Sequence, residues 1–157
     1  MEEPAAIYTS GILCQIAIEE GPDRVLSAIR IVDRIEVDLP TDLAPDMTVI
    51  AMQVSCFAIL SFKSESPEDF DVIFTGVTPR GDRVKQTTFK IHTDGGIRGH
   101  QIAFRMNFDP RNIGLWWFEV AVNGLIALKM PLEIVRATDP DPSIPLEKQS
   151  PTQSLLR

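Results

Sequence analysis

The chain has 157 residues, 44% of them hydrophobic and 24% charged, a balance that suits one globular domain and excludes wholesale disorder. Its formal net charge is −7, a sign that opposes both the phosphates of nucleic acid and an anionic membrane surface, so neither is expected as a partner. A domain of this size needs no disulfide or metal staple, and no cofactor is expected.

Residues 1–10 read as a loose lead-in without the basic and long apolar regions of a secretion signal, which makes the cytoplasm the expected compartment. Residues 11–19 alternate as a strand, with Ile12, Cys14, Ile16 and Ile18 expected inward and Gln15 and Glu19 outward. Glu20-Gly21-Pro22-Asp23 is a turn by composition. Residues 25–37 fit a helical stripe through Val25, Ile29, Val32 and Ile35. They also fit a period-two face of Ile29, Ile31, Ile35 and Val37, and the β-branched content favours a strand. Asp33 stands on the apolar phase there, which predicts a buried carboxylate held by hydrogen bonds.

Residues 38–47 form a Pro/Asp loop, and 48–62 a strand apolar on both phases, hence covered at least partly on both faces. At 16 residues, the apolar run 47–62 is too short to span a bilayer as a helix. A polar loop is expected over 63–69, a strand over 70–78 with Phe70, Val72 and Phe74 in phase, a turn at Pro79-Arg80-Gly81-Asp82, and a half-exposed strand over 83–91. Residues 92–100 read as a Gly-rich loop, followed by a strand carrying Ile102, Phe104, Met106 and Phe108. Residues 114–135 are a hairpin about Asn123-Gly124, a pair suited to the two positive-φ positions of a type I′ turn. Its first strand puts Trp116, Phe118, Val120 and Val122 on the core face.

About eight strands and no convincing helix predict an all-β fold: an antiparallel, immunoglobulin-like β-sandwich over 11–135, with a small closed barrel as the alternative. Residues 136–157 are rich in proline and poor in large apolar side chains, which predicts a disordered tail, with Leu155-Leu156 as a docking candidate within it. The apolar-Cys first strand, the segment Leu26-Ser27-Ala28-Ile29-Arg30-Ile31-Val32-Asp33-Arg34-Ile35, and the closing Gly-x-Trp-x-Phe-x-Val-x-Val-Asn-Gly unit together resemble a family of uncharacterised bacterial β-sandwich domains. The resemblance spans roughly 11–135 and implies a fold and a bacterial origin. It brings no activity or catalytic residue with it.

Five groups of residues are weighed as candidates for function. His92 and His100, with Asp94 between them, could share a metal ion if 89–91 and 101–103 pair as a hairpin, since opposed Cβ atoms lie about 4.5–5.5 Å apart. A metal-dependent enzyme or binder centred on 92–100 would follow. Gly95-Gly96-Ile97-Arg98-Gly99 could cradle a phosphate, but no helix follows it and a hairpin loop is the simpler reading. Arg80-Gly81-Asp82 spells an adhesion tripeptide that is better read as turn residues. Cys14 and Cys56 fall on apolar phases and read as buried, reduced thiols. The favoured site is an apolar surface: Trp117 and Leu115 lie opposite Trp116 and Phe118 in phase, and Phe57 and Ile59 occupy the second phase of their strand. If those two strands are neighbours, the four side chains form one patch, covered either by the chain's own loops or tail or by a protein partner or a second copy in a homo-oligomer. The expectation is therefore a non-enzymatic binding or assembly module, with a structural subunit of a larger particle as a further alternative.

Overall fold

A computed structural model describes residues 7–22, 25–37, 54–96, 99–109 and 112–137. Among these the chain forms strands and turns only: β1 (Ile7–Glu20), β2 (Val25–Ile31), β3 (Arg34–Val37), β4 (Val54–Ser64), β5 (Pro67–Val77), β6 (Arg83–Asp94), β7 (His100–Phe108), β8 (Gly114–Val122) and β9 (Leu125–Arg136). Among the described residues no helix is long and apolar enough to cross a membrane. The strands make two sheets, ordered β2-β1-β4-β7 and β3-β9-β8-β5-β6.

That order is the immunoglobulin arrangement. β1, β4 and β7 take the places of strands A, B and E in one sheet; β9, β8, β5 and β6 take those of G, F, C and C′ in the other. The chain therefore crosses between layers after β2, β3, β4, β6 and β7, as a Greek-key sandwich allows. One pairing departs from the all-antiparallel expectation: β3 runs parallel to β9, with Ile35 opposite Ile134.

The closing hairpin forms as its sequence dictates. Asn123 and Gly124 take φ of 48° and 85°, both left-handed, and Val122 folds back onto Leu125. Trp116, Phe118, Val120 and Val122 are buried, and they meet Phe70, Val72 and Phe74 from β5 and Phe62, Met106 and Phe108 from the other sheet. Phe74 ties the layers together, stacked on Phe118 with centroids 5.6 Å apart and edge-on to Phe104 at 4.8 Å. The Trp116 indole N–H donates to the Asn112 carbonyl at 2.8 Å, so its burial leaves no orphan donor. At the crossover from β4 to β5, the Ser64 and Thr93 hydroxyls, both buried, meet at 2.5 Å across the layers.

Several expectations change. Residues 7–10 belong to β1 rather than to a loose lead-in, residues 63–64 and 67–69 to β4 and β5 rather than to a loop, and residues 92–94 to β6. The segment 25–37 is extended, but it breaks at Val32-Asp33 as the chain leaves one sheet for the other. Asp33 is exposed at this corner, not buried; its backbone carbonyl accepts from the Glu133 N–H at 2.8 Å. The expected strand positions 48–53, and the tail beyond residue 137 with Leu155-Leu156, lie outside the described residues.

The largest change is the orientation of β1. Leu13, opposite Ala58, faces the core, and Gly11, opposite Leu60, approaches Leu128 and Met130 of the other sheet. Cys14 opposes Phe57 and Ile12 opposes Ile59, which puts Ile12, Cys14, Ile16 and Ile18 on the outer face. The more hydrophobic phase of the strand points away from the sandwich.

Candidate functional site

The four residues expected to form one patch are divided between the two layers. Trp117 and Leu115 lie on β8 in the five-stranded sheet; Phe57 and Ile59 lie on β4 in the four-stranded one. Trp117 is 38% exposed on the outer face, flanked by its cross-strand neighbours Val77 and Pro131. Next along this face is Glu119, whose carboxylate is largely buried between the Arg83 guanidinium at 2.7 Å and the Lys129 ammonium at 2.9 Å. The Lys129 hydrogen bond and the two cationic charges hold its carboxyl below the usual range, against a smaller opposing effect of burial. Phe57 is half-buried and Ile59 buried, so neither is an open anchor.

A different apolar surface emerges instead. The distal half of β1 pairs with β2, setting Ile16 opposite Ile29, Ile18 opposite Ser27, Cys14 opposite Ile31 and Glu20 opposite Val25. All eight share one face of a two-stranded ribbon. On it Ile16 is 48% exposed, Ile29 43% and Ile31 70%, with Ile18 and Val25 also open. Alternation marked most of these residues, but as core. Composition alone cannot say which phase of a strand faces inward; the partner strands decide it.

The histidine site does not assemble as expected. β6 pairs with β5 and β7 with β4, so His92 and His100 belong to different sheets. His92 lies opposite Asp69, whose carboxylate meets Nδ1 at 2.7 Å, while Asp94 meets Nε2 at 3.3 Å. The Asp69 hydrogen bond, helped by both carboxylate charges, raises the imidazole pKa above its ordinary value. Both ring nitrogens are thus turned to carboxylates on opposite sides, a clasp on the ring rather than converging ligands. Among the described residues no three His, Cys, Asp or Glu side chains are placed to hold a metal ion. A groove of about 440 Å³ beside His92 is lined by Asp69, Asp71, Lys90 and Asn123, and among its lining residues is no Ser, Thr or Cys nucleophile. A second cleft, about 220 Å³, opens between the edge strands β6 and β7 and is walled by Phe74, Phe104, Phe108, Trp116 and Phe118.

Cys14 and Cys56 are free and buried, as expected, but on opposite faces of their sheet. Burial, with Cys14 nearby, pushes the Cys56 thiol up to about 12, and burial raises Cys14 as well, so neither is an activated nucleophile. Pro79-Arg80-Gly81-Asp82 is a turn closed by Gly81 N–H donating to Thr78 O at 2.9 Å. The Gly-rich loop is not the hairpin loop expected, because it links strands of different sheets; within it Gly95 and Gly96 take positive φ, while Ile97 and Arg98 lie outside the described residues.

No model of a known protein family matches the chain, and no curated protein does. Among solved structures it is similar to a family GH3 β-glucosidase from Bifidobacterium adolescentis at 11% identity and a TM-score of 0.39, over 92% of this chain and 20% of that one. It therefore spans about a fifth of the glucosidase. It is also similar to an immunoglobulin-like protein from Pseudomonas aeruginosa at 12% identity and a TM-score of 0.39, over 83% of this chain and 98% of that one. The chain is an immunoglobulin-like β-sandwich on the strength of its own strand order.

Proposed function

We propose that the protein is a non-enzymatic binding or assembly module whose working surface is the isoleucine face of the β1–β2 ribbon. One observation carries this reading: β1 turns its more hydrophobic phase outward, leaving Ile16 and Ile18 beside Ile29 and Ile31 in solvent. Scattered exposed apolar residues are ordinary on a protein surface; a contiguous set on one flat face marks an interaction site. Two free cysteines fit a reducing compartment, and the cytoplasm is the setting we propose.

The test is site-specific photo-crosslinking in cells that make the protein, with a benzophenone amino acid at Ile29 and, as a control, at the exposed Glu36. A discrete protein adduct from position 29 and none from position 36 is the expected result. Equal, diffuse labelling from both sites refutes the reading.

A further inference from the structure

We propose that the partner on the isoleucine ribbon is a second copy of this chain, packed face to face about a two-fold axis. This deepens the reading above and rests on it. Ile16, Ile18, Val25, Ile29 and Ile31 together leave on the order of 450 Å² of surface open, against roughly 800 Å² contributed by each partner to a standard interface. Two copies so packed remove on the order of 900 Å², near the roughly 1,000 Å² at which specific association begins. The half-buried Ile12 and Phe57, on the same face toward β4, extend the contact. The outcome is a concentration-dependent dimer rather than a permanent one.

Charge is compatible with a copy of the chain on this surface. At −7 per chain, two copies repel unless they meet on neutral ground. Of the eight ribbon positions on this face only Glu20, at the hairpin tip, is charged, so a two-fold contact at its centre brings no like charges together. The geometry also selects the face over the edge. β2 is the outer strand of its sheet, but Arg30 takes φ of 54° there, with its guanidinium turned toward Gln15 at 3.4 Å. An irregularity of this kind blunts strand-to-strand addition along an edge.

Sedimentation or light scattering from roughly 1 µM to roughly 200 µM, a range set by the small contact area, reads the result. The wild type is expected to move from one chain mass toward two, and further at high salt as repulsion between the acidic copies is screened. Ile29→Lys and Ile16→Lys, both surface changes checked for folding by circular dichroism, stay monomeric throughout. Trp117→Glu, on the other sheet, dimerises as the wild type does. A wild type that remains monomeric at every concentration and salt overturns the inference, as does an Ile29→Lys variant that still dimerises. A monomer that nonetheless gives a specific adduct with a different protein at position 29 removes the homodimer and keeps the binding module. A monomer with no specific adduct removes both.

Discussion

Gly11→Ala is the sharpest probe of how β1 is seated. Gly11 faces the interior, and a Cβ built on it would meet Leu128 Cδ2 at 2.8 Å, Leu60 Cδ2 at 2.8 Å and the Met130 sulfur at 2.9 Å. Comfortable carbon contacts lie at about 3.5–4.0 Å, so three neighbours must each give by about 0.6 Å or more. All three are the far ends of flexible side chains and can move, but they move within a packed core. Overpacking of this kind costs about 1–3 kcal/mol, and the stiffer unfolded chain of alanine returns about 0.4–1 kcal/mol. Gly11 is not among the positive-φ glycines, so backbone strain adds nothing. The net expectation is a loss of about 1–2 kcal/mol, or about 2–8 °C in melting temperature for a chain of this size.

Urea unfolding followed by tryptophan fluorescence measures that loss directly. The mechanism is checked with Met130→Ala. Alone it costs about 2–5 kcal/mol for the deleted side chain. Combined with Gly11→Ala, the new methyl enters the vacated space, and the double variant should be about 1 kcal/mol more stable than the sum of its parts. A Gly11→Ala protein at least as stable as the wild type, or strict additivity in the cycle, refutes the packing argument.

Glu119 sets an acid limit: its folded-state pKa is depressed, so its contribution is present above the unfolded value of 4.5 and is lost as pH falls through the folded value. Glu119→Gln should therefore flatten the fall in urea midpoint between neutral pH and about pH 3, mostly below 4.5. His92 has the opposite sign: a raised folded pKa makes any stabilisation complete below 6.5 and lost as pH rises through the folded value. Proton NMR should place its titration above 6.5 in the wild type, and Asp69→Asn should move it down; an unchanged titration would show the clasp absent in solution. Trp116→Phe removes the donor to the Asn112 carbonyl and part of a buried ring, and should cost about 2–3 kcal/mol in the same urea assay.

The hairpin, the sandwich and the core aromatics were legible because local chemistry and burial agree there. Asn123-Gly124 admits one kind of turn, and Trp116, Phe118 and Val120 are more apolar than the Leu115, Trp117 and Glu119 phase between them. The cysteines were legible for the same reason. What failed were inferences that needed a neighbour. Trp117 and Phe57 could be joined only if β8 and β4 were adjacent, and a Greek-key crossover puts them in different layers. His92 and His100 could face each other only across a local hairpin, but each pairs with a strand earlier in the chain. Asp33 falls on a buried phase only if the segment 25–37 is one strand, while the chain turns the corner there. Strand order is a long-range property, and alternation within one segment carries no information about it.

The inverted β1 shows why the proposed binding surface was the hardest part to see. Because side chains alternate, a one-residue slip against β4 would carry Ile12, Cys14 and Ile16 to the interior and bring Gly11 out. Composition favours that slipped register. Packing opposes it, because the ends of Leu60, Leu128 and Met130 already crowd a single methyl group at Gly11, and the Ser10 or Ile12 side chain that a slip brings there is larger. Glycine therefore fixes the register, and the register exposes the isoleucines. The same contact that holds β1 in place is what leaves an apolar ribbon in water, and a partner on that ribbon removes the cost. Dimerisation should then select the native register as well as use it. Ile29→Lys, expected to keep the chain monomeric, should lose the concentration dependence expected of the wild-type melting temperature while leaving the monomer's own stability nearly unchanged.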